Sequence, residues 1–78
     1  MNTIRVDEAL WASSIDPEGI LERWFVRDGD HAAAGQKVAE VLIEGARHEI
    51  FAPTAGILVC RSDAGALVEP GDLIGELR

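Results

Sequence analysis

The chain has 78 residues, with 14 acidic and 7 basic side chains and a formal net charge of −7. That length supports one small domain, which buries roughly 60% of its unfolded surface and must therefore use nearly every apolar side chain. No apolar run approaches the roughly 20 residues of a membrane-spanning helix. The basic residues Arg5, Arg23, Arg27, Lys37, Arg47, Arg61 and Arg78 are scattered, whereas nucleic-acid binding needs them clustered. A lone cysteine, Cys60, builds neither an internal disulfide nor a zinc site. The opening MNTIRVDEALW carries acids where a secretory signal has its apolar stretch, so the expected compartment is the cytoplasm.

In chain order, the residues predict a short strand over 3–6. One helical turn fits within 7–14, where Ser13, Ser14, Asp16 and Pro17 then stop it. Over 19–27, Ile20, Trp24 and Val26 alternate with Leu21, Arg23, Phe25 and Arg27, mostly the period of two of a half-buried strand. Arg27-Asp28-Gly29-Asp30 is turn chemistry, since glycine accepts positive φ and aspartate bonds nearby backbone. Brief pairing is expected near 31–33 and 66–68. Strands are expected at 37–43, 47–52, 56–61 and 73–78, with turns at Ala34-Gly35-Gln36 and Glu69-Pro70-Gly71-Asp72. Glu44, Gly45 and Ala46 separate two apolar strands as a tight turn. Pro53 has no N–H for a ladder, so 52–56 is a crossing or a strand end. Many short strands separated by turns give an all-β sandwich or barrel.

The chain also repeats itself. A shift of 36 brings Gly29 onto Gly65 and Gly35 onto Gly71, and aligns GQKVAEV (35–41) with GDLIGEL (71–77). Gly19-Ile20-Leu21 matches Gly56-Ile57-Leu58 at a shift of 37, so the second copy is one residue shorter between Leu58 and Gly65. Two copies of one unit imply approximate two-fold symmetry.

This ordered set of residues resembles the lipoyl/biotinyl attachment domains, the carrier domains of biotin-requiring enzymes and 2-oxoacid dehydrogenases. Its pieces are Gly19-Ile20-Leu21-Glu22-Arg23-Trp24, Asp28-Gly29-Asp30, Gly35, Ala39-Glu40-Val41, Glu49-Ile50-Phe51-Ala52-Pro53, Gly56-Ile57-Leu58, Gly65 and Pro70-Gly71-Asp72-Leu73-Ile74. The resemblance is strongest over 19–77, within a single domain of 1–78. It implies a flattened barrel-sandwich hybrid of two four-stranded antiparallel sheets with quasi two-fold symmetry. It also implies a hairpin tip at which a lysine carries lipoate or biotin. Aligned without a gap from Glu49, Ala52 and Pro53, the lipoyl tip puts Glu44 on its Asp, Gly45 on its Lys and Ala46 on its Ala. The acceptor-equivalent position is then Gly45, which has no amine. Glu44 and Ala46 are closer to the lipoyl version than to a biotinyl tip, which has methionines on both sides of its lysine. No lysine lies between residues 38 and 78, and Lys37, the single lysine, opens a strand several residues from the tip. Lys37 reads as a solvated charge with no modification expected.

The remaining chemistry-bearing residues read as structural. Cys60 packs as a small apolar residue with no paired histidine. His31 and His48 lack metal-ligand spacing, and His48 lies near the hairpin, where an exposed or satisfied ring outweighs a partner contact. Asp28 and Asp30 are turn formers. Trp24 and Phe25 supply one core side chain and one exposed or partly covered one. Trp11 either docks on the barrel or binds something. No nucleophile with a base, metal cluster or phosphate-cradling loop is present, so the chain is not expected to be an enzyme.

The expected function is a stand-alone carrier-like module without the acceptor lysine. It would act unmodified and without cofactor beside a 2-oxoacid dehydrogenase or biotin-dependent carboxylase component, away from membranes and nucleic acid. The alternative is an active lipoyl or biotinyl carrier modified at an atypical site.

Overall fold

The computed structural model describes residues 2–78. Eight strands are present: β1 (Thr3–Arg5), β2 (Gly19–Trp24), β3 (His31–Ala32), β4 (Lys37–Ile43), β5 (Ala46–Phe51), β6 (Gly56–Cys60), β7 (Leu67–Val68) and β8 (Leu73–Leu77). They form two four-stranded antiparallel sheets, ordered β1-β8-β6-β3 and β5-β4-β2-β7. The expected all-β architecture is therefore observed, and its extents of 34 × 20 × 16 Å make it a flattened body. Val38, Val41, Ile43, Leu21, Leu58 and Ile74 meet between the sheets, each at most 1% exposed.

The two sheets are copies of one arrangement. The order β1-β8-β6-β3 maps onto β5-β4-β2-β7, which relates β6 to β2 and β8 to β4. The glycines matched at a shift of 36 share a backbone conformation, with φ of 92° and 94° at Gly29 and Gly65, and 80° and 86° at Gly35 and Gly71. These are left-handed values that residues with a Cβ resist. Hydrogen bonds repeat as well. Gly29 N donates to Leu58 O and Gly65 N to Leu21 O, both at 2.7 Å. Ala33 N donates to Gln36 Oε1 and Glu69 N to Asp72 Oδ2, both at 2.8 Å. Phe25 N donates to Val38 O, and Arg61 N to Ile74 O.

One residue separates the copies, and the structure shows where. Leu21, Arg23 and Trp24 pair with Val41, Glu40 and Ala39, while Leu58, Val59 and Cys60 pair with Leu77, Glu76 and Gly75. Glu22 is thus the extra residue, taken up as a β-bulge within β2 rather than in the loop before Gly65. The bulge corrects the grouping expected from alternation. Ile20 does not share a face with Trp24 and Val26: Leu21 is fully buried, Ile20 is exposed, and the inward positions resume at Trp24 and Val26. An added residue exchanges the faces downstream of it.

The helical turn expected within 7–14 is a 3₁₀ turn over Glu8–Trp11, capped by the Asp7 side chain, which accepts from Ala9 N at 2.9 Å. Trp11 docks on the barrel, buried, with its ring against Gly19. A side chain on Gly19 would meet Trp11 Cζ2 at 3.2 Å and Ile43 Cγ1 at 3.1 Å, so the glycine makes room for the indole. The remaining boundaries agree with expectation to within a few residues. β2 ends earliest, at Trp24, because the chain then bends toward the Asp28-Gly29 turn.

Candidate functional site

The hairpin of β4 and β5 closes in two residues. Ile43 pairs with Ala46, so Ala46 already belongs to β5 and the turn is Glu44-Gly45 alone. Both have positive φ, 47° and 81°. Two consecutive positive values are the signature of a type I′ turn, whose twist matches that of paired strands. Glycine meets this requirement freely at Gly45. Nothing lies within 4 Å of the position a Cβ would take there, so the tip faces open space.

Glu44 occupies the left-handed region with a full side chain, and its carboxylate is engaged. Glu44 Oε2 accepts from Ile15 N at 2.7 Å and Asp16 N at 3.0 Å, which ties the tip to the segment between the 3₁₀ turn and β2. A groove of about 220 Å³ runs beside the turn, floored by Ile20, Leu42 and Leu67 and rimmed by Asp16 and Glu18. Ile20 pairs across the sheet with both Leu42 and Leu67, so the floor is one row of side chains on neighbouring strands. The tether and the groove escape sequence reading because Glu44 and its amide partners are 29 and 28 positions apart. The available signal was local: an acid beside glycine in a two-residue turn.

Lys37 stands at the opposite end of β4. Six positions of extended chain separate it from Ile43, the last strand residue before the turn, roughly 20 Å at 3.3 Å per residue. Its Nζ lies 3.1 Å from Glu49 Oε2 and 4.4 Å from the centre of the Phe25 ring. It is a paired surface cation rather than a free solvated one.

The other candidates are dispersed. His31 and His48 belong to different sheets. Asp28 accepts from Cys60 N at 2.8 Å and so staples the two halves together. Cys60 is half-buried against the core; burial first, then the nearby Asp28 and Asp63 charges, push its thiol above the ordinary value. That direction disfavours a reactive thiolate. Trp24 packs on the core and its Nε1 donates to Ser62 O at 2.9 Å, while Phe25 is exposed under Lys37 and Arg23.

A family profile described as "Biotin-requiring enzyme" matches residues 12–77. A stretch of 59 residues, 76% of the chain, is 36% identical to part of a protein named acetyl-CoA carboxylase, mitochondrial, from Saccharomyces cerevisiae strain YJM789, with the same identity in strains RM11-1a and S288c. The chain spans 3% of the length of these relatives. Their name is that of a carboxylase. The match reaches seven residues upstream of Gly19 and takes in the segment that Glu44 holds. With two mirrored four-stranded sheets and a profile match over most of its length, the chain belongs to the biotin/lipoyl domain family of biotin-requiring enzymes.

Proposed function

We propose that this chain is a carrier-type domain whose acceptor position is Gly45, and that it works unmodified as an interaction module of a carboxylase-type partner. The observation that carries this reading is the bare turn. Glu44-Gly45 is the exposed tip of the β4–β5 hairpin, and it offers no amine for an amide bond to biotin or lipoate. Lys37, the single lysine, opens β4 roughly 20 Å of strand before the turn and is paired with Glu49. The carboxylase name of the relatives favours a biotin-dependent carboxylase component over a 2-oxoacid dehydrogenase as the partner. The module presents shape and negative charge, and a charge of −7 speeds encounter with a basic surface.

Gly45→Lys tests the reading with a biotin ligase and a lipoyl ligase, each with ATP and its cofactor. A lysine at a φ of 81° carries left-handed strain of about 1–2 kcal/mol but meets open space. The expected result is one cofactor increment on the variant, mapped to residue 45, and none on the natural chain. An increment on the natural chain at Lys37 would make it a carrier with an atypical site. A folded variant that neither ligase loads would show that Gly45 is not the acceptor position.

A further inference from the structure

The hairpin that carries the turn also leaves the longest free strand edge among the described residues. β5 ends its sheet with six residues, whereas the other outer strands, β1, β3 and β7, have three, two and two. In a hairpin closed by two residues the flanking pair, here Ile43 and Ala46, exchanges hydrogen bonds, and bonded pairs alternate from there. Ala46, His48 and Ile50 therefore bond toward β4, and the N–H and C=O groups of Arg47 and Glu49 point away from it. Among the described residues, Arg47 and Glu49 take part in no main-chain hydrogen bond outside the strand ladders, and β4 is the single strand that pairs with β5. Free edges are commonly blocked by brevity, proline or charged side chains, lysine above all, and charge blocks an edge against a copy of itself only where like charges meet. β5 has neither proline nor lysine, and its two outward-bonding interior positions carry opposite charges.

We propose that β5 is a homotypic docking edge: two copies of this chain pair β5 with β5, antiparallel, about a two-fold axis at His48. Backbone parity allows three central registers, about Arg47, His48 or Glu49. The first sets Arg47 opposite Arg47 of the second copy, and the third sets Glu49 opposite Glu49. The register about His48 sets each Arg47 opposite Glu49 of the other copy and Ala46 opposite Ile50. Opposite charges across a ladder stabilise and like charges destabilise, so the charge order selects the middle register. The same register carries the ladder from Ala46 opposite Ile50 at one end to its equivalent at the other, and leaves Phe51, 53% exposed, level with the Gly45 turn of the second copy. The two-fold repeats each contact and closes at two copies, joining the outer sheets into one of eight strands. Arg47 lies 3.1 Å from Glu22 and 3.9 Å from Glu40, and Glu49 lies 3.1 Å from Lys37, yet the Arg47 and Glu49 side chains are 66% and 51% exposed, and a guanidinium and a carboxylate each have bonding positions left for a partner across the ladder. The proposal stands independently of the reading of Gly45.

Sedimentation equilibrium of the chain, from micromolar to millimolar at physiological ionic strength, tests it. Under those conditions repulsion between two copies of charge −7 is largely screened beyond about 8 Å. The expected result is a concentration-dependent species of twice the 8.4 kDa chain mass. Arg47→Glu and Glu49→Arg should each weaken association about tenfold or more, because each change acts twice. The double variant, with the charges exchanged, should restore it, which separates lost pairing from lost folding. A chain that stays monomeric to millimolar concentration would overturn the proposal, as would single variants that associate unchanged or a double variant as weak as either single one.

Discussion

Replacing Glu44 by alanine and by glycine separates two opposing effects at one position. At a φ of 47° a side chain costs about 1–2 kcal/mol, which glycine does not incur. Against this, the Glu44 carboxylate accepts two backbone N–H groups, from Ile15 and Asp16. Hydrogen bonds to a charged group contribute about 1.5–3 kcal/mol each in favourable settings, but all three residues are exposed and water replaces the bonds. The net contribution of the pair is then roughly 1 kcal/mol. Glu44→Ala keeps the strain and loses the bonds, so it should destabilise the domain by about 1 kcal/mol. Glu44→Gly loses the bonds and the strain together and should leave stability nearly unchanged. The alanine–glycine difference is the strain itself, about 1–2 kcal/mol, at about 4–8 °C in Tm per kcal/mol for a domain of this size. Urea unfolding followed by tryptophan fluorescence gives the free energies, and amide exchange at Ile15 and Asp16 should accelerate in both variants. An alanine variant as stable as the glycine variant, or unchanged exchange at those two amides, would refute the reasoning.

Three further outcomes follow from the packing. Gly56→Ala should cost about 1–3 kcal/mol, because its Cβ would lie 2.9 Å from the Arg78 backbone oxygen, which the paired Ile57–Arg78 backbone hydrogen bonds hold in place; thermal unfolding reads the loss. Deleting Glu22 should leave a cooperatively folding domain within about 2 kcal/mol of the natural chain, since β6 follows the same path without that residue, whereas deleting Ile57 from the unbulged β6 should abolish the cooperative transition. Cys60 should react with iodoacetamide at neutral pH more slowly than a free cysteine. Its thiol is favoured protonated in the fold, so the unfolded chain ionises first. The associated stability is full below the ordinary thiol value of 9.0 and falls as pH rises past it, which denaturation at a series of alkaline pH values measures.

Much of the fold was legible because local chemistry and the global repeat agree. Gly29, Gly35, Gly65 and Gly71 mark turns in which only left-handed backbone closes the chain, and their spacing repeats because the two sheets do. The inner faces follow in part from alternation: Val41 and Ile43 flank the less buried Leu42 in β4, and Leu58 stands between the less buried Ile57 and Val59 in β6, whereas Val38 and Ala39 are both buried where β4 bulges. Alternation failed at Ile20, where one bulged residue exchanged the faces, and nothing in the side chains of Leu21, Glu22 and Arg23 announces which of them is extra. Trp11 was ambiguous because its place depends on the room that Gly19 leaves eight positions later. At the tip, the tight turn was legible from Gly45 between two strands. The Glu44 tether and the groove over Ile20, Leu42 and Leu67 were not, since both are assembled from segments distant in sequence.

The intact mass of the natural chain tests most directly the proposal that the β4–β5 tip carries no cofactor. The chain purified from its own cell, with peptide mapping across residues 36–61, should have the mass of the unmodified polypeptide there. A biotinyl- or lipoyl-sized increment in that region would contradict the account, and the mapped peptide would name the residue that carries it.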